Sequence, residues 1–236
     1  MKRLIFLSVA VFLVPAATVL GQAGSSTAAA LPALPVKVLV QSPADTRTDF
    51  QIICLFRSSP ENTLHGALAE IDQKLHGALS RIRTPDRFGG ELGETIILLP
   101  PSGTIAAKHL LIIGLGDSAT FTPETMVFIG KVAIRESNRI GAAHPFFAPT
   151  ILDGGVTRYA TGEIAERFVQ GIREALATHA LLFGVGAATP RLVQDFTFLA
   201  GPSHATDTQA GIDRALAAYQ GPSREIRLPT SPNAKN

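Results

Sequence analysis

The chain has one cysteine, no tryptophan, two tyrosines and two methionines in 236 residues. One cysteine excludes any intramolecular disulfide. Cys54 sits inside the apolar run "IICLF" and reads as a buried, inert hydrophobe with a raised thiol pKa. Stability then has to come from a core, and the length is sufficient for one of good size. A large excess of either charge is missing too: 21 basic residues face 19 acidic ones, for a formal charge of +2. Nothing in that balance draws the chain to nucleic acid or to an anionic membrane. Charged residues make up 17% and hydrophobic residues 46%, a globular composition and not a disordered one. No apolar run reaches the ~20 residues that span a bilayer as a helix.

What is present begins with a leader. Lys2 and Arg3 precede the apolar "LIFLSVAVFLV" (Leu4–Val14), Pro15 ends it, and "ATVLGQAG" supplies small residues for cleavage near Gly21 or Ala23. This pattern predicts a Sec-type signal peptide over 1–23 and a periplasmic or secreted protein. No cysteine follows the apolar region, which argues against a lipid anchor, so no membrane association is expected after cleavage. Removing Lys2 and Arg3 leaves basic and acidic residues equal in number. Export without a disulfide suits a periplasm-like compartment. Residues 24–35 read as a flexible leader, 36–221 as the folded domain, and 222–236, "PSREIRLPTSPNAKN", as a disordered tail.

Apolar patterning orders the body. Strands are predicted over Val36–Gln41, Phe50–Phe56, Thr95–Pro100, His109–Leu115, Phe147–Leu152 and Arg191–Ala200. Leu64, Leu68, Ile71, Leu75, Leu79 and Ile82 recur at helical spacing, which predicts one helix ended by Pro85. A second helix opens on Thr122 as N-cap with Pro123 at its first position and runs to about Ile140. A third spans Glu163–Leu176, and Thr206 with Gln209 forms a capping box for a fourth. Strands that are apolar throughout and alternate with helices imply an α/β fold, a three-layer α/β/α sandwich with a mixed, largely parallel sheet.

The usual catalytic constellations are absent. His65 and His76 recur in "LHGAL" at 64–68 and 75–79, on one face of a helix but about 16 Å apart along its axis, too far to share a metal. His109, His144, His179 and His204 have no partner at ligand spacing. There is no G-x-S-x-G elbow, and Ser118 has no identifiable base. Neither a metal site nor a catalytic residue is expected, and no cofactor. Asp117 and Asp153 each follow an apolar strand, where α/β proteins place working groups and also carry solvated loop acids. "GLGDSA" (Gly114–Ala119) matches the letters of the dinucleotide fingerprint. The helix start at Thr122–Pro123 comes too late to cradle a phosphate, and the acid sought about 20 residues on, Glu136, lies within a helix. NAD binding is therefore not expected.

"FGGELGETIILLP" (Phe88–Pro100) followed by "AAKHLLIIGLGD" (Ala106–Asp117) resembles the N-terminal domain of the leucyl aminopeptidases, peptidase family M17. The matching residues are Phe88, Gly90, Gly93, Glu94 and Thr95, then Gly114, Leu115 and Gly116. The resemblance implies a macro-domain-like fold. It also implies what is missing: the family's metals and its Asn-Thr-Asp-Ala-Glu-Gly-Arg signature belong to a C-terminal half with no counterpart here. "RLPTSPN" (Arg227–Asn233) is similar to the link into that half. The expectation is an exported, non-catalytic domain, an interaction or regulatory module whose partner is a peptidase catalytic subunit or a second copy of itself. Macro-domain relatives bind ADP-ribose in loops at strand ends. The alternatives are thus a nucleotide or ADP-ribose-type binder through Gly114, Gly116 and Asp117, or one part of a split metallo-aminopeptidase.

Overall fold

A computed structural model describes residues 34–59 and 63–218. The predicted signal peptide, most of the leader and the tail lie outside the described residues. The elements in chain order are β1 (Val36–Val40), β2 (Thr48–Leu55), α1 (Gly66–Lys74), α2 (Ala78–Ile82), β3 (Thr95–Leu98), β4 (Ala107–Gly114), α3 (Thr125–Arg139), β5 (Phe146–Ala148), α4 (Thr161–Gly184), β6 (Phe196–Ala200) and α5 (Ala205–Ala217).

The six strands form one sheet in the order β1-β6-β5-β2-β4-β3. Every pairing is parallel except β3 with β4. β2 is central and buried on both faces from Phe50 onward, which is why Ile52–Leu55 are apolar without alternation. Its odd and even residues serve different layers. Phe50, Ile52, Cys54 and Phe56 face α3, α4 and α5, whereas Ile53 and Leu55 face α1 and α2. The mixed three-layer sandwich read from the sequence is the fold. Phe147, Phe168, Phe196 and Phe198 fill the centre of the larger layer, and the rings of Phe147 and Phe168 stack at 3.8 Å.

Glycine sets how closely the helices of that layer approach. A Cβ built on Gly171 of α4 would lie 2.0 Å from Val127 O of α3, and one on Gly130 of α3 would lie 2.2 Å from Phe168 O of α4. At the next crossing, a Cβ on Gly211 of α5 would lie 1.9 Å from Gly162 O of α4. Backbone meets backbone at both crossings, so no larger residue fits.

Several boundaries differ from the sequence reading. The single helix over 64–82 is two, because His76 and Gly77 adopt left-handed backbone (φ 55° and 75°) and turn the chain. The two "LHGAL" segments therefore do not share a helix face: His65 is the N-cap of α1 and His76 lies in the turn. β5 stops at Ala148, and Thr150 has φ 51°. The Thr150 hydroxyl then takes over the pairing, accepting from Cys54 N–H (3.0 Å) and donating to Cys54 O (2.6 Å). β6 starts at Phe196, since Leu192 and Val193 N–H bind the Asn138 side chain instead of a neighbouring strand. α3 begins at Thr125, after a turn in which Thr125 N–H donates to Thr122 O. The capping box at Thr206 does not form: Gln209 bonds Asp213, and α5 begins at Ala205 with His204 as N-cap. α4 continues two turns past Leu176.

Candidate functional site

The glycine-rich segments flagged in the sequence lock onto each other. Gly114 N–H donates to Glu94 O (2.8 Å), Gly93 N–H to Gly114 O (2.9 Å) and Gly116 N–H to Gly90 O (2.9 Å). A Cβ on Gly114 would lie 2.0 Å from Glu91 O, so the two stretches of backbone touch directly. Gly90, Gly93 and Gly116 all have positive φ, conformations that side chains resist. The Glu94 carboxylate accepts from Gly90 and Glu91 N–H, which closes the turn. Phe88 is buried beneath it. The Asp117 carboxylate accepts from Ala119 N–H. Gly114, Gly116 and Asp117 thus stand at the end of β4, and the amides of Gly114 and Gly116 are bonded within the protein.

A cleft of about 660 Å³ lies elsewhere, at the C-terminal ends of β1, β5 and β6. That is the end of a parallel sheet where α/β folds seat ligands. Its walls come from the loop after β1, the first turn of α1, the segment Ala148–Val156, the start of α4 and the loop from β6 into α5. The 114–117 loop does not line it.

Two carboxylates line the cleft. Glu70 is engaged by Ser42 Oγ (3.0 Å) and by Lys74 one turn along α1 (3.1 Å). Asp153 lies at the N-terminus of α1, where Ala67 N–H donates to it, and Asp153 O accepts from His65 N–H. Partial burial pushes its carboxyl above the ordinary carboxylate value, and the Ala67 bond and His65 offset only part of that. Gly66 leaves room for this carboxylate, since a Cβ there would lie 2.1 Å from Asp153 Oδ1. At the start of α4, Asp207 of α5 accepts from Gly162 N–H (2.7 Å) and Thr161 Oγ1 (3.0 Å), and the Gly162 bond holds its carboxyl below the usual range.

The remaining candidates are dispersed. Cys54 is fully buried in β2, and burial pushes its thiol far up. Ser118 lies in the loop after the clasp, where its carbonyl accepts from Arg158. His144 pairs with Asp195 at 2.7 Å, a partner 51 positions away that sequence spacing could not reveal. His109 contacts Asp49 O, and His204 reaches the cleft. Among the described residues no three His, Cys, Asp or Glu side chains converge as a metal site would require. Of the cleft acids only Asp153 carried a sequence signal, its place after an apolar strand. Glu70 carried none, because the cleft is assembled from loops distant in sequence.

This architecture, with its cleft above the parallel strand ends, defines a macro-domain-like protein. Residues 52–177 match the model of the cytosol aminopeptidase family, N-terminal domain, and the chain belongs to that family. A probable cytosol aminopeptidase of Burkholderia mallei is 37% identical over 73 residues, 31% of this chain and 14% of that protein. One from Trichormus variabilis is 28% identical over 104 residues, 42% and 21% of the respective chains. The matched regions thus span a minor part of these relatives. A mutant tomato leucine aminopeptidase superposes with a TM-score of 0.54 at 14% identity, over 78% of this chain and 36% of that one. An Oceanobacillus iheyensis macrodomain mutant solved with ADPR gives 0.54 at 14% identity, over 77% and 94%.

Proposed function

We propose that this chain is an exported, non-catalytic module related to aminopeptidases, working through protein association, with a peptidase catalytic subunit or a second copy as partner. One observation carries the reading. The last turn of α4 and its C-cap present Leu181, Leu182, Phe183 and Val185 to solvent, at 43–57% exposure. Four large exposed apolar residues gathered at one helix end support a contact surface there. The family signature, meanwhile, is used by the fold: its glycines and Glu94 close the clasp.

Sedimentation of the purified chain, alone and with an M17 catalytic half, tests the proposal. Association that Phe183→Glu abolishes supports it. A chain that stays monomeric and ignores the peptidase half overturns it. So does metal-dependent turnover of leucine p-nitroanilide by the purified chain with added Mn²⁺ or Zn²⁺.

Nucleotide binding is a second reading, favoured by the position of the cleft in a fold shared with macrodomains solved with ADP and ADPR. Calorimetry with ADP-ribose tests it. Gly116→Glu separates the 114–117 loop from the cleft as the seat of any binding, because only the loop would be blocked.

A further inference from the structure

α3 carries its basic residues four apart, at Lys131, Arg135 and Arg139, which sets them along one side of the helix. The outer two are paired. Lys131 meets Glu174 of α4 at 2.6 Å, and Arg139 meets Glu136 of its own helix at 2.9 Å. Arg135, between them, has no ion pair or hydrogen bond among the described residues. The acids on either side of it are thus spent on its neighbours.

α3 and α4 run side by side, with backbone contact at Gly130 and Gly171. One turn further on, a pocket of about 120 Å³ opens between them, lined by Ile134, Arg135, Asn138, Ala175, Leu176 and His179. Its polar lining offers donors. The Nε2 atom of His179 is buried with no hydrogen-bond partner, and it carries a hydrogen in the imidazolium and in one neutral tautomer. Asn138 spends its carbonyl on Leu192 and Val193 N–H, while its amide donates to Ile134 O with one N–H left over. No carboxylate is among the described residues that line the pocket.

A cation would meet Arg135 here. A neutral apolar guest would leave His179 Nε2 unpaired, which is costly in a buried place. A carboxylate answers both, since its two oxygens accept from donors on both helices. Ile134, Ala175 and Leu176 are buried and form the apolar floor, which suits a short aliphatic stem better than an inorganic anion. The volume takes a group of a few heavy atoms. We propose that the α3–α4 pocket binds a carboxylate on a short aliphatic stem, held by Arg135 from α3 and His179 from α4. Such a group arrives as a small free acid or as an acidic side chain of another polypeptide. The site lies apart from the strand-end cleft and does not depend on the association reading.

NMR of the imidazole signals of the purified chain tests it, with acetate, acetamide and chloride as probes. The signals lost in His179→Gln are those of His179. Acetate is expected to shift them with a Kd of about 1 mM, a strength open to a ligand of four heavy atoms. Acetamide has the same shape without the charge and is expected to leave them in place. Arg135 is exposed, so Arg135→Met leaves the fold intact, and it is expected to weaken acetate about tenfold. N-acetylglutamate N-methylamide separates the two sources. If it shifts the His179 signals as acetate does, the pocket takes an acidic side chain; if it is excluded while acetate binds, the pocket takes a free acid. Acetate that leaves the signals unmoved, or shifts them equally in Arg135→Met, overturns the proposal. Chloride that shifts them as far as acetate overturns it as well, because the response is then common to any anion.

Discussion

Gly171→Ala and Gly184→Ala are the same substitution in the same helix, and the structure assigns them opposite signs. Both glycines lie in α4. On propensity alone, alanine favours a helix interior by about 1 kcal/mol over glycine. At Gly184 nothing stands within 4 Å of the new Cβ, so that preference acts unopposed, reduced by the position at the helix end. A gain of about 0.5 kcal/mol is expected there. At Gly171 the Cβ would sit 2.0 Å from Val127 O, and the clash is with backbone, which no rotamer change relieves. Contacts below 3.0 Å are essentially never seen for real Cβ atoms, so α3 and α4 must separate by about an ångström. The fully buried side chains between them, Met126, Ile129, Phe168 and Ile172, then lose close packing. Overpacking of a fixed core costs about 1–3 kcal/mol and more where backbone must move. After the propensity gain, a net loss of about 2 kcal/mol is expected, which lowers the melting temperature of a domain this size by about 4–8 °C. Thermal unfolding followed by circular dichroism at 222 nm measures both variants. A Gly171→Ala protein as stable as Gly184→Ala would refute the backbone-contact argument.

Three further outcomes follow from single side chains. Thr150→Val keeps the shape but leaves both Cys54 backbone groups without their partner, so a loss of about 2 kcal/mol or more is expected in urea unfolding. Asp207→Ala removes the cap of α4, for about 1 kcal/mol at neutral pH. The folded-state carboxyl of Asp207 is held below its ordinary 3.8, so its contribution is present above that value and is lost as pH falls through the folded-state value. The stability gap between parent and Asp207→Ala should accordingly close below about pH 4, and a gap independent of pH would count against the cap. Cys54, buried in the central strand with its thiol pushed up, should resist a thiol reagent such as DTNB until the protein is unfolded.

The inner part of the sheet was legible in the sequence because β2, β4 and β6 are largely buried on both sides and read as mostly apolar runs. β2 and β4 stand where those runs predict. Boundaries set by one side chain were not legible. The stripe from Leu64 to Ile82 is periodic right through the break, since Leu75 and Leu79 are buried against the same face of the sheet on either side of the turn. Only the backbone of His76 and Gly77 divides it. The helical pattern of α4 stops at Leu176 because full burial stops there, while the helix itself goes on, in part half-buried to Ala180 and exposed beyond it. The Thr206 box lost to Gln209–Asp213, a competing pair one turn along the helix. The signature at 88–117 identified the family correctly. That its glycines close a clasp was not legible, because a glycine held by close backbone contact and one held for a ligand look alike in sequence.

The ladder between β2 and the segment beyond β5 is completed by the Thr150 hydroxyl, a side chain, and not by a second backbone. Turning that hydroxyl away about χ1 would leave the buried Cys54 N–H and C=O without partners, so the rung is costly to open. Residues 149–153, which carry Asp153 into the cleft, are thus tied to the central strand through one side chain, and the place of that cleft wall depends on the identity of residue 150.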